Sequence, residues 1–280
     1  MEVLVVGNTA YVDDDFCAKA FPGDHVKVVA ATEARRDESS PHASWKELLQ
    51  NLEQAYEFDR VVYLSNYLTP HTDTVGDIEL LRSVFRACAS RRVQLLYVAG
   101  PAGAEGAADA AGRTGKGIIA RASNDLCRYY AAREGVQTKI LRVPFLYTAS
   151  AALEDPFLVP LFDACSTGSV ALQGAEDAAF PLLCTEELAV LVRRIFDSWD
   201  GNFETLDVAD TFHHTAGEVG DALKALFPGL AVAYGDSAGY VLPASDVARV
   251  RYGWFQRYDL LRDLSTIQAR WDAGRAKKVN

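Results

Sequence analysis

Five short apolar runs, rich in valine and leucine, recur through the first half of the chain and limit what it can fold into. They are "EVLVVG" (2–7), "HVKVVAA" (25–31), "RVVYLS" (60–65), "VQLLYVAG" (93–100) and "TKILRVPFLY" (138–147). Each is near-continuous in apolar residues, and the first and fourth close on glycine, so they read as strands buried on both faces. Helical periodicity fills the intervals, at 13–20, 43–56, 76–90 and 118–133; in 43–56, Trp45, Leu48, Leu49, Leu52 and Tyr56 share one side. Strands alternating with helices predict an α/β fold, a parallel sheet covered by helices on both faces.

The second half is less regular. A helix is expected at 186–199, a strand near Glu204–Val208, a helix at 215–226, and a more irregular end. "FPGD" (21–24) reads as a turn and "PAGAEGAADAAGRTGKG" (101–117) as a small-residue loop. No repeat or linker divides the chain. The reading is a doubly wound, Rossmann-type core over 1–148 and a smaller C-terminal, substrate-type lobe within 149–280, with 186–210 returning to the core.

Charge and cysteine usage narrow the functional classes. A net charge of −10 argues against a general nucleic-acid or anionic-membrane surface. Five scattered cysteines without CxxC spacing predict buried free thiols in a reducing compartment. Adjacent His213-His214 cannot share a helix face, and no metal site is expected. No leader and no membrane-spanning apolar run is read, which predicts a cytoplasmic protein.

In order and spacing, six pieces resemble the extended short-chain dehydrogenase/reductases, the NAD-dependent epimerase/dehydratase family that acts on nucleotide sugars. "MEVLVVGNTAYV" is similar to that family's first strand and glycine loop, and "FDRVVYLS" to its D-x-V-hydrophobic strand. "DIELLRSVFRACAS" matches the helix that follows. "LLYVAG" stands where the family writes a strand ending in Ser-Ser. "ILRVPFLY" resembles its Leu-Arg-x-x-x-x-Tyr strand, and "YGWFQRYDLLRDLSTIQARW" its closing Gly-Trp segment.

The resemblance implies a site, and the chain departs from it repeatedly. The family's Gly-x-x-Gly-x-x-Gly loop reads Gly7-Asn8-Thr9-Ala10-Tyr11-Val12-Asp13, so one glycine remains. Those glycines let the backbone and a helix N-terminus approach a pyrophosphate. Asp13 is expected to cap that helix itself and to repel a bound diphosphate. At an effective dielectric near 20, that repulsion is about 4 kcal/mol per charge pair. The acidic residue that holds the ribose of NAD is replaced by Ala30 or Ala31; Arg35-Arg36 could meet a 2′-phosphate or form a solvated loop. Leu64 and Asn66 complete the cofactor side implied by the resemblance.

Family chemistry uses a Ser/Thr and a Tyr-x-x-x-Lys pair, the lysine lowering the tyrosine pKa so that a phenolate acts as base. Counting back from Ile140-Leu141-Arg142, the tyrosine position falls at Lys116 and the lysine position at Ala120; a two-residue shift offers Thr114 and Ile118. The Ser/Thr region reads Ala99-Gly100-Pro101-Ala102, without a hydroxyl. Tyr129-x-x-x-Arg133 copies the spacing but lies three turns along the helix, about 20 Å away. The substrate side would comprise Lys116, Arg142, Pro144 and Tyr147. The family's gripping basic residue is replaced around Phe180-Pro181, while Glu186-Glu187-Leu188-Ala189 keep its acidic pair.

The expectation is a protein of this family that has lost catalysis and tight dinucleotide use. It would act as a binder of a nucleotide or sugar nucleotide, or as a scaffold for an active enzyme. The alternative is an active NAD(P)-dependent sugar-nucleotide epimerase, dehydratase or reductase using other residues. Surplus apolar residues on 76–90 (Ile78, Leu80, Leu81, Val84, Phe85, Cys88) and 118–133 (Ile118, Ile119, Ala122, Leu126, Tyr129, Tyr130) predict a homodimer, or a heterodimer with an active relative.

Overall fold

A computed structural model describes residues 1–30, 58–65, 74–89, 91, 93–100, 115–149, 155–172, 174–208, 211–236 and 245–279. Its centre is a six-stranded parallel sheet in the order β2-β1-β3-β4-β5-β9. The strands are β1 (Glu2–Gly7), β2 (His25–Ala30), β3 (Arg60–Leu64), β4 (Gln94–Ala99), β5 (Gln137–Arg142) and β9 (Phe203–Asp207). The chain winds outward in both directions from β1, so the order reverses between β1 and β3. A crevice at the strand C-termini is the geometric consequence. Gly7 lies there, in register with Ala30 on one side and Leu64 on the other.

Strand alternation divides the core. Val3, Val5, Val62, Leu96 and Leu141 point to the face covered by α1 (Asp14–Ala20) and α5 (Thr185–Asp197), meeting Phe16, Leu188, Val192 and Phe196. Leu4, Val6, Val61, Leu95 and Ile140 point the other way, onto α2 (Thr74–Ala89) and α3 (Gly115–Arg133). At about 25 cal/mol per Å2 of apolar surface removed from water, both layers stabilise the sheet.

A third cluster lies outside the sheet. It joins β6 (Phe145–Tyr147), α4 (Leu158–Ser166), β7 (Ser169–Leu172), β8 (Leu182–Cys184), α6 (Ala216–Leu226) and β10 (Ala231–Tyr234). A short α7 (Val247–Tyr252) packs on the first core face, and a long α8 (Leu260–Val279) closes the third cluster. Within the two small sheets, β6 pairs with β8 and β7 with β10, both parallel.

Several expectations need correction. The run 138–147 is two strands, because Pro144 has no N–H to continue a ladder; β6 turns away to pair with β8. The end of the chain is not irregular. Leu260, Leu264, Ile267 and Trp271, at helical spacing, bury one face of the 20-residue α8. The surplus apolar surface read on 76–90 is covered within the chain: Leu80, Leu81, Val84 and Phe85 are all buried, and Phe85 stacks on Tyr130 of α3 at 4.7 Å. On α3, Ile118 and Tyr129 do remain exposed, at 52% and 54%.

The helix at 43–56 and the loop residues 101–114 lie outside the described residues; Gly115, Lys116 and Gly117, read as loop, open α3. All five cysteines are free, four of them buried. Among the described residues no helix is long and apolar enough to cross a membrane, and no cluster of metal-binding side chains occurs.

Two ion pairs join β5 to the edge strand β9. Lys139, 1% exposed, reaches Glu204 at 2.7 Å and Asp200 at 3.0 Å. Arg142 meets Asp207 in a bidentate pair at 2.6 and 2.8 Å.

Candidate functional site

The crevice begins where β1 ends. Gly7 has φ +107°, and a Cβ there would lie 2.1 Å from the Leu64 carbonyl oxygen, so only glycine permits the close approach of β1 to β3. The next amide, Asn8 N–H, donates to that same carbonyl at 2.8 Å. A single 3-10 turn over Thr9–Tyr11 follows, with the Ala10 amide donating to the Asn8 side-chain oxygen at 3.4 Å. Tyr11 turns inward and is buried; burial, with the Asp155 carboxylate nearby, pushes its phenol pKa up. Val12 packs against the first core cluster.

Asp13 caps α1. Its Oδ1 accepts the Phe16 N–H at 2.7 Å, and Asp14 and Asp15 occupy the first turn. Carboxylates favour this end of a helix because its free N–H groups carry partial positive charge. The positive end that a phosphate would use therefore already holds a carboxylate. Ala30 closes β2, and Leu64 closes β3 beside Gly7. Arg35 and Asn66 lie outside the described residues.

Ala99 ends β4 and Ala120 lies one turn into α3; each is 2% exposed and offers only a methyl group. Ala102 lies outside the described residues, and Lys116 is placed in the first turn of α3.

The substrate-side residues are differently occupied than the sequence suggests. Arg142 is 6% exposed, and Asp207 takes two of its guanidinium donors across the strand pair. Pro144 is buried between β5 and β6. Tyr147 does not line an open cleft. It is fully buried in the third cluster, burial pushes its pKa up, and its phenol oxygen has no hydrogen-bond partner among the described residues.

Three polar residues escaped the sequence reading. Asp207 pairs with Arg142, and nothing in "ETLDV" signals it beyond a charged residue ending a strand. Asp155, 1% exposed, accepts from the amides of Thr148, Phe157 and Leu158 and from the Thr148 hydroxyl. Its signal was local, an aspartate before proline just ahead of a helix. Ser65, directly after β3, buries a hydroxyl with no partner among the described residues. Glu187, from the acidic pair already noted, accepts the Arg257 amide and ties α5 to the segment after α7; burial raises its pKa.

Comparison with known proteins assigns the architecture. No protein-family profile and no curated protein matches the chain. Solved structures do match over nearly its full length. The UDP-glucose 4-epimerase of Thermotoga maritima, solved with UDP-glucose, is similar at 13% identity and TM-score 0.73, covering 99% of this chain and 100% of the epimerase. The dTDP-glucose 4,6-dehydratase of Streptomyces venezuelae, solved with NAD, is 13% identical at TM-score 0.73, covering 97% and 96%. A GalE-like L-threonine dehydrogenase from Cupriavidus necator is 18% identical at TM-score 0.63, covering 96% and 98%. The chain thus has the fold of the extended short-chain dehydrogenase/reductases, the architecture of NAD-dependent epimerases and dehydratases.

Proposed function

We propose that this chain is a non-catalytic protein on the epimerase/dehydratase fold, binding a nucleotide or sugar nucleotide without turning it over. The observation that carries the reading is the pair of buried alanines, Ala99 and Ala120, at two positions where the chemistry needs a hydroxyl and an ammonium group. A methyl group can neither donate a proton nor lower a neighbouring phenol's pKa. The dinucleotide fits poorly for a separate reason: the Asp13 carboxylate accepts the Phe16 amide at the N-terminus of α1, where a pyrophosphate would lie. No hydride-transfer step is assigned to these residues.

Exposed Ile118 and Tyr129 support a further element of the reading, association through α3 with a second copy or with an active relative. The test is incubation with UDP-glucose or dTDP-glucose and NAD in heavy water, followed by NMR. No conversion and no exchange at the sugar C4 is expected, while UDP-glucose alone raises the melting temperature saturably. Stereospecific conversion that disappears in Lys116→Met would overturn the proposal.

A further inference from the structure

A pocket of about 420 Å3 opens between α1, one side of α5 from Glu186 to Arg194, and residues 253–262. Its volume lies in the range of about 300–1,000 Å3 usual for small-molecule sites. It includes none of the crevice residues, so it is a separate place on the molecule.

The lining is cationic in a protein whose net charge is −10. Lys19, Arg194, Arg257 and Arg262 outnumber Glu186 and Glu187. Lys19 is neutralised by Glu186 at 2.7 Å and Arg262 by Asp263 at 3.2 Å. Arg194 is anchored through Nη1 on the carbonyls of Tyr252 and Gly253, which neutralise no charge. Arg257 is exposed, has no ion-pair partner among the described residues, and rests its guanidinium 4.8 Å from the centre of the Phe255 ring. Two arginines of the lining therefore form no ion pair among the described residues, although the Arg257 charge is felt by the Glu187 carboxyl. Glu187 turns one oxygen toward the Arg257 amide, and its carboxylate is the one acidic group of the lining that no ion pair among the described residues engages.

Aromatic rings supply the second observation. The Trp254 indole forms a buried wall, its N–H donating to the Glu187 carbonyl at 3.0 Å. Phe255 and Tyr258 stand exposed at the rim, 50% and 38%. Phe255 and Tyr258 leave part of their ring surface in water beside a concave cationic surface, where a flat ring can stack on them and on Arg257.

We infer that this pocket is a second ligand site, which takes a small aromatic anion of the kind a mononucleotide presents. Arg257 and Arg194 would hold the phosphate through charge-assisted hydrogen bonds, and Phe255 and Tyr258 the ring.

The test is calorimetric titration of the full chain with uridine 5′-monophosphate, inorganic phosphate and uridine as separate probes. The mononucleotide is expected to bind saturably, at least tenfold tighter than either fragment. Arg257→Ala should weaken the mononucleotide and phosphate tenfold or more. Phe255→Ala should weaken the mononucleotide and leave phosphate unchanged. Both side chains are exposed, so the variants keep the wild-type melting temperature. Absence of mononucleotide binding up to about 10 mM would overturn the inference. So would an affinity unmoved by Arg257→Ala, which would place the nucleotide in the strand-end crevice instead.

Discussion

Replacing Asp13 by glycine separates charge from fold at the phosphate loop. The cap hydrogen bond to Phe16 is lost, but glycine is itself tolerated at a helix N-cap, so the expected cost is only a few tenths of a kcal/mol. The backbone at Asp13, φ −112° and ψ −179°, is extended and accepts either residue. The electrostatic change is larger. A carboxylate and a phosphate oxygen about 4 Å apart repel by about 4 kcal/mol at an effective dielectric near 20. Asp13 is only partly buried, so solvent and salt remove about half of that. The remainder, about 2 kcal/mol, corresponds to about 30-fold in Kd. Calorimetric titration with NAD and NADP, at low and high salt, is the assay. Asp13→Gly should tighten either cofactor by about that factor, most clearly at low salt, with the melting temperature nearly unchanged. A folded variant with unchanged or weaker affinity would refute the electrostatic reasoning.

Gly7→Ala should destabilise by about 3 kcal/mol or more, since its methyl group meets the Leu64 carbonyl in a conformation L-residues avoid; a wild-type urea midpoint would contradict this. Asp207→Ala removes the bidentate carboxylate of the buried Arg142 and should cost about 3–5 kcal/mol, much of it recovered in Arg142→Met/Asp207→Leu, as denaturant midpoints would show. Burial raises the Asp155 pKa, so the native state binds that proton more tightly than the unfolded chain. Its contribution is therefore fully present below the ordinary carboxylate range and is lost as pH rises through the raised native value. The stability difference between wild type and Asp155→Asn should thus fall as pH rises above the ordinary carboxylate range, and a flat difference would refute the assignment. Ile118→Glu with Tyr129→Glu should convert a dimer to a folded monomer in sedimentation velocity; a wild type that is monomeric at tens of micromolar would remove the basis for the α3 interface.

The sheet was legible because its signal is local and redundant. Buried parallel strands must be apolar on both faces, and Val3 to Val6 or Leu95 to Val98 announce that without reference to any partner. The C-terminal lobe was harder to read. Its strands β7, β8 and β10 span three or four residues each, too short for a period to emerge. The helix α8 carried a readable period at Leu260, Leu264, Ile267 and Trp271, but exposed charges between those positions diluted it. Site positions followed the same division. Asp13 acts on Phe16, three residues on, so its role could be read from the loop itself, and Gly7 was legible as the glycine that ends an apolar strand although the carbonyl it makes room for belongs to Leu64. Arg142 could not be read this way, because its partner Asp207 lies 65 positions away and only the strand pairing brings them together.

The two pairs joining β5 and β9 also bear on how the sheet finds its last strand. Lys139 stands opposite Glu204 and Arg142 opposite Asp207 in the ladder. Three positions separate the members on each strand, so the pleat sends one cation to each face. Sliding β9 by one residue would turn both carboxylates to the wrong sides together and separate Glu204 from Lys139 and Asp207 from Arg142, at several kcal/mol apiece. Apolar contacts alone discriminate weakly between neighbouring alignments, because Leu206 is the one buried side chain of β9. The paired charges act as a two-digit address: they reject a slipped β9, and equally any foreign strand that docks at that edge without acidic residues three apart.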